Sequence, residues 1–328
     1  MNAAPSPKHR ERSWRKLALK GAGLAIVCCF WLVYIRQHWH SLQGLEWQIG
    51  ILPAALAVAI ALLGYFVRGL LWDLFRHEMT GHRLGFLNAF RISAIAWMGR
   101  YVPGKVWSLA GKACLSARDK QDIALNTAAA AIDIAWFQAS GLLLGLSVLL
   151  CFPEKTHFLA EMRLAGALVI ALAVVACHPG VFAPVLNVGL RLMHQAPLPR
   201  RPRYRFMLFL LACNMAVFVL WTAGFFFILR ALSDASWADF PPLLGVFCLA
   251  WVAGFLVLLA PAGLGVRDSV MALGMQEIIG LDPSLVIVAV VAARLLSTLT
   301  EFLCFLIALA LSALGMAPPA HQEPPKDP

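Results

Sequence analysis

Long runs of apolar residues, separated by short polar segments, dominate the chain. The main runs are Ile49–Val67, Ala124–Phe152, Leu164–Cys177, Phe206–Leu229, Leu243–Ala260 and Leu285–Leu311. Runs of roughly 20 apolar residues match the thickness of the hydrocarbon core of a bilayer. Because lipid offers the backbone no hydrogen-bonding partner, such runs are helices. The pattern predicts an all-α polytopic membrane protein.

The N-terminal segment is basic and precedes a further apolar stretch, Leu17–Ile35. A signal peptide is one interpretation, but the stretch is long, contains Phe30 and Trp31, and lacks a cleavage site of small residues. We therefore expect a retained first span after a basic cytoplasmic tail at residues 1–16. The proline-rich residues 313–328 predict a disordered cytoplasmic tail.

The lysines and arginines order the predicted spans, since cytoplasmic loops carry an excess of positive charge. The stretch from Arg83 to Arg118 is too long for one span and too short for two, and Pro103-Gly104 breaks it. A single crossing here would place the basic segment 191–205 outside, whereas a re-entrant hairpin keeps it in the cytoplasm. We choose the hairpin; the alternative is a kink or a tight loop between ordinary helices.

A second apolar stretch is interrupted by Pro261, Gly263 and Gly265. Each half of the chain then contains a span, a span, a hairpin and a span, over 17–152 and, inverted, over 153–312. The sequence thus predicts about six full spans plus two re-entrant hairpins, with both termini cytoplasmic. Broken segments at corresponding positions of two oppositely oriented halves indicate a transporter with its site near the midplane.

Ionisable residues inside a membrane are functional candidates by default, because they are costly there. Arg100 and Lys105 flank the first break, and Arg267 and Asp268 follow the second. Cations together with the free N–H groups of a helix end suit an anion such as a phosphate. The alternative is that these cations lie at headgroup depth and only anchor the protein.

Three more ionisable residues lie inside predicted spans: Asp133 in the third, and Arg294 and Glu301 in the last. We expect Asp133, Asp268 and Glu301 to balance charge or to exchange a proton. An interhelical hydrogen bond is the commoner role for such residues.

The other cations have a simpler interpretation. Arg68, Arg91 and Lys112 are weaker candidates, since predicted helix ends would let their side chains reach the interface. The net charge of +10 comes mostly from lysines and arginines that flank apolar runs, as membrane topology requires. We therefore expect no nucleic-acid partner.

No motif predicts a catalytic residue, a metal or a cofactor. None of the eight cysteines forms a C-x-x-C pair, and His77-Glu78 with His82 is one residue out of register for the zinc motif H-E-x-x-H. An intramembrane enzyme with Asp133, Glu301 or His178 as its base ranks last, because no nucleophile is paired with a base.

Two strings resemble the lysylphosphatidylglycerol synthase transmembrane-region family. They are Gly99-Arg100-Tyr101-Val102-Pro103-Gly104-Lys105-Val106-Trp107 and Pro261-Ala262-Gly263-Leu264-Gly265-Val266-Arg267-Asp268, with Arg294 in the last span. The resemblance covers roughly residues 15–312. In two-part members the membrane region moves an aminoacylated phospholipid between leaflets, and a soluble C-terminal domain makes that lipid. We expect no such domain after the tail of this chain, and therefore no aminoacyl transfer.

The resemblance also implies that Arg100, Lys105, Arg267 and Arg294 line a cavity for the lipid headgroup. We therefore expect a flippase or scramblase in a bacterial cytoplasmic membrane, acting on an anionic or phosphate-bearing lipid. The alternative is a non-transporting partner or regulator of an envelope lipid or glycan biosynthetic enzyme, docked through the basic segment 191–205.

Overall fold

The computed structural model describes residues 50–101, 106–117, 120–152, 163–176, 202–257 and 261–316, with isolated positions at 36 and between 178 and 191. Several predictions fall outside the described residues. They are the first span at 17–35, the break at Pro103 and Gly104, Lys105, most of the basic segment 191–205, and the C-terminal tail from residue 317.

Nine α-helices lie in the part of the chain that the structure describes, and no strand is present there. They are α1 (Ile51–Thr80), α2 (Phe86–Trp97), α3 (Val106–Ser116), α4 (Lys120–Leu150), α5 (Arg163–Ala176), α6 (Tyr204–Leu232), α7 (Phe240–Leu256), α8 (Val266–Gly274) and α9 (Pro283–Ala313). Short 3₁₀ turns lie at Met98–Tyr101, Trp237–Asp239 and Pro261–Gly263, and a π-helical turn at Met275–Ile279 extends α8. The predicted all-α fold is confirmed.

Five helical segments are long and apolar enough to cross a membrane: Ile51–Thr80, Ile123–Leu150, Tyr204–Leu232, Trp237–Leu256 and Pro283–Ala313. The chain is therefore a multi-pass membrane protein. By contrast, α2 and α3 contain 12 and 11 residues, about 18 and 17 Å of helix against a core of about 30 Å. The first predicted hairpin is thus built from two helices too short to cross, whereas α7 in the second is long enough to do so.

Local chemistry sets several helix ends. Gly81 ends α1 in the left-handed conformation, with a φ of 80°, and its N–H donates to the carbonyl of His77. Asp282 caps α9 by accepting from the backbone N–H of Ser284, with Pro283 at the first helical position, where its missing N–H is not needed. The hydrogen bonds from Ser284 hold the pKa of the exposed Asp282 carboxyl below its usual value.

The break between α7 and α8 depends on glycine. Gly263 and Gly265 have φ values of +73° and +77°, and Ala262 between the helices has a φ of +49°. A Cβ at Gly263 would lie 2.9 Å from the carbonyl oxygen of Gly254. Only glycine accepts both the positive φ and this close approach of two backbones.

The helices of the two halves have equivalent neighbours. α1 packs on α6, α2 packs on α9 as α7 packs on α4, and α1 contacts α9 as α6 contacts α4. The turns Met98–Tyr101 and Pro261–Gly263 contact each other. This set of neighbours is unchanged when α1–α4 are exchanged for α6–α9, as two repeats related by a pseudo-twofold axis require. These two turns, one from each half, therefore lie against each other.

Candidate functional site: a cationic cavity between the helix breaks

A cavity of about 120 Å³ lies where the turns Met98–Tyr101 and Pro261–Gly263 meet. It is lined by Tyr65, Arg68, Ala96, Trp97, Arg100, Ser108, Lys112, Ile134, Phe137, Gln138, Trp221, Trp251, Gly254, Phe255, Ala262, Gly263 and Arg267. Arg100 belongs to the first turn, and Ala262 and Gly263 belong to the second. Among the described residues of this wall, four side chains are cationic and none is a carboxylate, and much of the remainder is aromatic.

Arg68 and Lys112 share one carboxylate behind the wall. Arg68 makes two bonds to Asp133, at 3.1 and 3.0 Å, and Lys112 Nζ lies 2.6 Å from Asp133 Oδ2. Arg68 also donates to the amide oxygen of Asn214 at 2.8 Å. The cluster joins α1, α3, α4 and α6, and all four residues are buried. Because two cations share one carboxylate, the cluster has a formal charge of +1.

Arg100 is paired across the molecule with Glu301 of α9, at 2.8 Å. The same carboxylate accepts from the hydroxyls of Tyr65 at 2.6 Å and Tyr101 at 2.8 Å. Glu301 thus accepts three hydrogen bonds from these side chains, which is the pattern of an ionised carboxylate. This cluster ties the first break to the last helix and is formally neutral.

Arg267 differs from the other cations of the wall. Its side chain is 4% exposed, yet no carboxylate or hydrogen-bond acceptor among the described residues pairs with it. Its guanidinium carbon lies 4.4 Å from the ring centroid of Trp251 and 5.4 Å from that of Phe247. Cation–π contacts of this kind are attractive, but they leave the N–H donors of the guanidinium without an acceptor.

Arg294 stabilises the conformation of the second break. Its guanidinium bonds both oxygens of Asp268, at 2.6 and 2.8 Å, and donates to the carbonyl of Ala262 at 3.1 Å. Asp268 in turn accepts from the backbone N–H of Gly265 at 3.2 Å. Arg294 therefore lies behind the turn and is not among the residues that line the cavity.

The same kind of ion pair occurs in both halves, with the positions of the positive and the negative residue exchanged. In the first half Lys112 of α3 pairs with Asp133 of α4, and in the second Asp268 of α8 pairs with Arg294 of α9. In both cases the short helix after the break is tied to the long helix that follows. The ion pairs thereby fix the position of each short helix relative to the long helix that follows it.

The predicted site residues fall into three groups. Arg100 and Arg267 lie on the cavity wall, and Pro261, Gly263 and Gly265 form the second break. Asp133, Asp268, Glu301 and Arg294 are each paired with an opposite charge. Lys105, Pro103 and Gly104 lie outside the described residues.

The expectation that Arg68 and Lys112 reach the membrane interface is wrong. They are 5% and 4% exposed and line the cavity. Arg68 lies in the interior of α1, twelve residues before Thr80, and the apolar Leu70, Leu71 and Trp72 that follow it in the sequence were the available signal. Arg91 is also buried, and its guanidinium bonds Asn88 one turn away.

Over the described ranges, no three side chains of His, Cys, Asp or Glu converge on a position that would hold an ion. The cavity instead presents N–H donors, which suit an anionic ligand.

Comparison with known proteins identifies the family. No individual curated protein matches the chain. Residues 18–316, nearly the whole sequence, match the family described as Lysylphosphatidylglycerol synthase TM region. The chain therefore belongs to the lysylphosphatidylglycerol synthase transmembrane-region family.

Proposed function

We propose that this chain moves a phosphate-bearing lipid between the leaflets of a bacterial cytoplasmic membrane. The headgroup passes through the cavity between the two breaks, while the acyl chains stay in the bilayer. The observation that carries this proposal is the cationic wall of the cavity, and above all Arg267, which is buried without an anionic partner among the described residues.

A buried cation without a counter-ion is strongly unfavourable, because the interior solvates charge poorly. An anionic ligand relieves this cost, and the planar guanidinium of Arg267 suits a phosphate, to which it donates two parallel hydrogen bonds. The bound headgroup therefore supplies the negative charge beside Arg267 that the described residues lack.

The helix breaks suit passage of a polar group. Irregular backbone at membrane depth is tolerated where it is buried in protein or lines a cavity. The turns Met98–Tyr101 and Pro261–Gly263 both border the cationic cavity. We interpret α2 and α3 as a re-entrant hairpin entering from the cytoplasm, and α7 and α8 as its inverted counterpart. Arg267 and Arg100, one from each half, lie 4.4 and 4.9 Å from the ring centroid of Trp251.

Transport of an anionic lipid outward needs no nucleotide. Moving one net negative charge across an inside-negative membrane is favourable by about 2.3 kcal/mol per 100 mV. The membrane potential therefore drives export of such a lipid, whereas a zwitterionic lipid gains nothing from it.

The test is leaflet exchange of fluorescent anionic phospholipids in proteoliposomes, with Arg267→Ala compared with wild type. Loss of a charge-assisted hydrogen bond of about 1.5–3 kcal/mol predicts a fall in the exchange rate on the order of 10- to 100-fold. Arg230→Ala is the matched control, because Arg230 is exposed at the end of α6 and stacks on Trp237, away from the cavity. Equal loss in both variants would contradict the assignment of the cavity.

A different outcome would favour the non-transporting role. If wild-type protein exchanges no lipid above the rate of empty liposomes, and co-purifies stably with one envelope biosynthetic enzyme, the chain is a partner or regulator of that enzyme. The basic segment 191–205 is then the expected docking surface.

A further inference from the structure

We infer that the headgroup recognised by this cavity is a phosphomonoester, which carries two negative charges, and not the singly charged phosphodiester of the common phospholipids. This inference rests on the proposed function and specifies its substrate class. It follows from the charge and the hydrogen-bonding capacity of the cavity wall.

The described wall and its buried partners carry a surplus of two positive charges. The cations are Arg68, Arg100, Lys112 and Arg267, and the carboxylates bound to them are Asp133 and Glu301. Four positive charges less two negative charges leave +2. The neighbouring pair of Arg294 and Asp268 is neutral and does not change this sum.

The surplus is located at two points on the same cavity. One unit belongs to Arg267, which has no carboxylate partner among the described residues. The other belongs to the cluster in which Arg68 and Lys112 share Asp133. Arg100 adds nothing to the surplus charge, because Glu301 balances it. A ligand with one negative charge would leave one of these two buried positive charges uncompensated, whereas a ligand with two negative charges neutralises both.

Hydrogen-bonding capacity points the same way. Besides the cations, Gln138 and Trp221 line the cavity, and the amide nitrogen of Gln138 and the indole nitrogen of Trp221 are buried without a partner in the described structure. A phosphomonoester presents three strong acceptor oxygens. A zwitterionic headgroup brings an ammonium group as well, and no carboxylate among the described residues of the wall is available to receive it.

The discriminating experiment compares binding of two short-chain lipids to the purified protein by isothermal titration calorimetry at pH 7.5. Dioctanoyl phosphatidic acid carries the phosphomonoester, and dioctanoyl phosphatidylglycerol carries the phosphodiester. We expect phosphatidic acid to bind at least about tenfold more tightly, since it gains one more charge-assisted contact. Inorganic phosphate is the third ligand, and we expect it to bind more weakly than phosphatidic acid because it lacks the acyl chains.

Two variants tie the preference to the surplus charge. Lys112→Met leaves Arg68 and Asp133 as a balanced pair and lowers the surplus from two to one. We expect it to remove the tenfold advantage of phosphatidic acid over phosphatidylglycerol. Arg230→Ala, outside the cavity, retains the full preference.

The outcomes separate this inference from the proposed function. Equal affinity for the two lipids, with leaflet exchange that still depends on Arg267, overturns the phosphomonoester inference and leaves lipid transport intact. Absence of exchange for every lipid overturns the proposed function itself. Inorganic phosphate binding as tightly as phosphatidic acid overturns the lipid source, because the site would then recognise the free anion.

Discussion

Asp133 is the residue whose loss should most disturb the candidate site. Its two oxygens hold Arg68 through two hydrogen bonds, and Oδ2 also lies 2.6 Å from Lys112 Nζ. The substitution Asp133→Asn keeps the shape of the side chain and removes its charge. Arg68 and Lys112 then remain buried next to each other, and the hydrogen-bond acceptors left to them among the described residues are two neutral amide oxygens, that of the substituted side chain and that of Asn214.

The magnitude follows from the burial of both cations. Removing one partner of a buried ion pair costs about 3–5 kcal/mol, since the remaining charge stays desolvated. Here two cations lose the same partner, so we expect at least the lower figure. At about 1.4 kcal/mol for each factor of ten, the ratio of folded to unfolded protein falls by two to four orders of magnitude.

The assay is equilibrium unfolding of the purified protein in detergent, followed by tryptophan fluorescence. Asp234→Asn is the control, because Asp234 is exposed in the loop after α6. The double variant Asp133→Asn with Lys112→Met should be more stable than Asp133→Asn alone, since it removes one uncompensated charge. A loss below about 1 kcal/mol for Asp133→Asn, or a further loss in the double variant, would mean that Asp133 does not compensate the charges of both cations.

Three further changes test the packing around the cavity. In Gly64→Ala, the new Cβ would clash with Trp221 Nε1, so we expect overpacking to lower the free energy of unfolding by about 1–3 kcal/mol, measured by thermal unfolding. In Gly254→Ala, the new Cβ would lie 2.8 Å from Arg267 Cβ; displacement of that arginine should weaken lipid binding, measured by calorimetry, and unchanged affinity would contradict it. Tyr101→Phe removes one of three side-chain hydrogen bonds to the buried carboxylate of α9 and should lower the free energy of unfolding by about 1.5–3 kcal/mol. The same change at the exposed tyrosine that begins α6 should have little effect.

The sequence predicts the helices well inside the membrane, where lipid offers the backbone no hydrogen-bonding partner. Continuous apolar runs must be helical, and α6 and α9 coincide with their predicted runs to within about three residues. The second break was also predictable, because proline ends a helix and Gly263 supplies the positive φ that a turn between two backbones requires. Both signals are local, so they can be read from the chain alone.

The partners of the charged residues are not local. Arg100 bonds Glu301 across 201 positions, and Arg68 bonds Asn214 across 146. Such pairs depend on which helices become neighbours, and position along the chain does not specify this. For the same reason the sequence alone places Lys112 at the interface, although α3 is turned towards α4 and the cavity.

Photo-crosslinking shows whether the cavity between the two turns receives the lipid headgroup. Proteoliposomes containing a phospholipid with a photoreactive group in its headgroup are irradiated, and mass spectrometry locates the labelled residues. We expect labels at Trp97, Phe137 and Trp251 on the cavity wall, reduced by an excess of unlabelled lipid. Labels confined to outward-facing residues such as Leu168 and Leu172 of α5, which are 60% and 75% exposed, would contradict this placement of the headgroup.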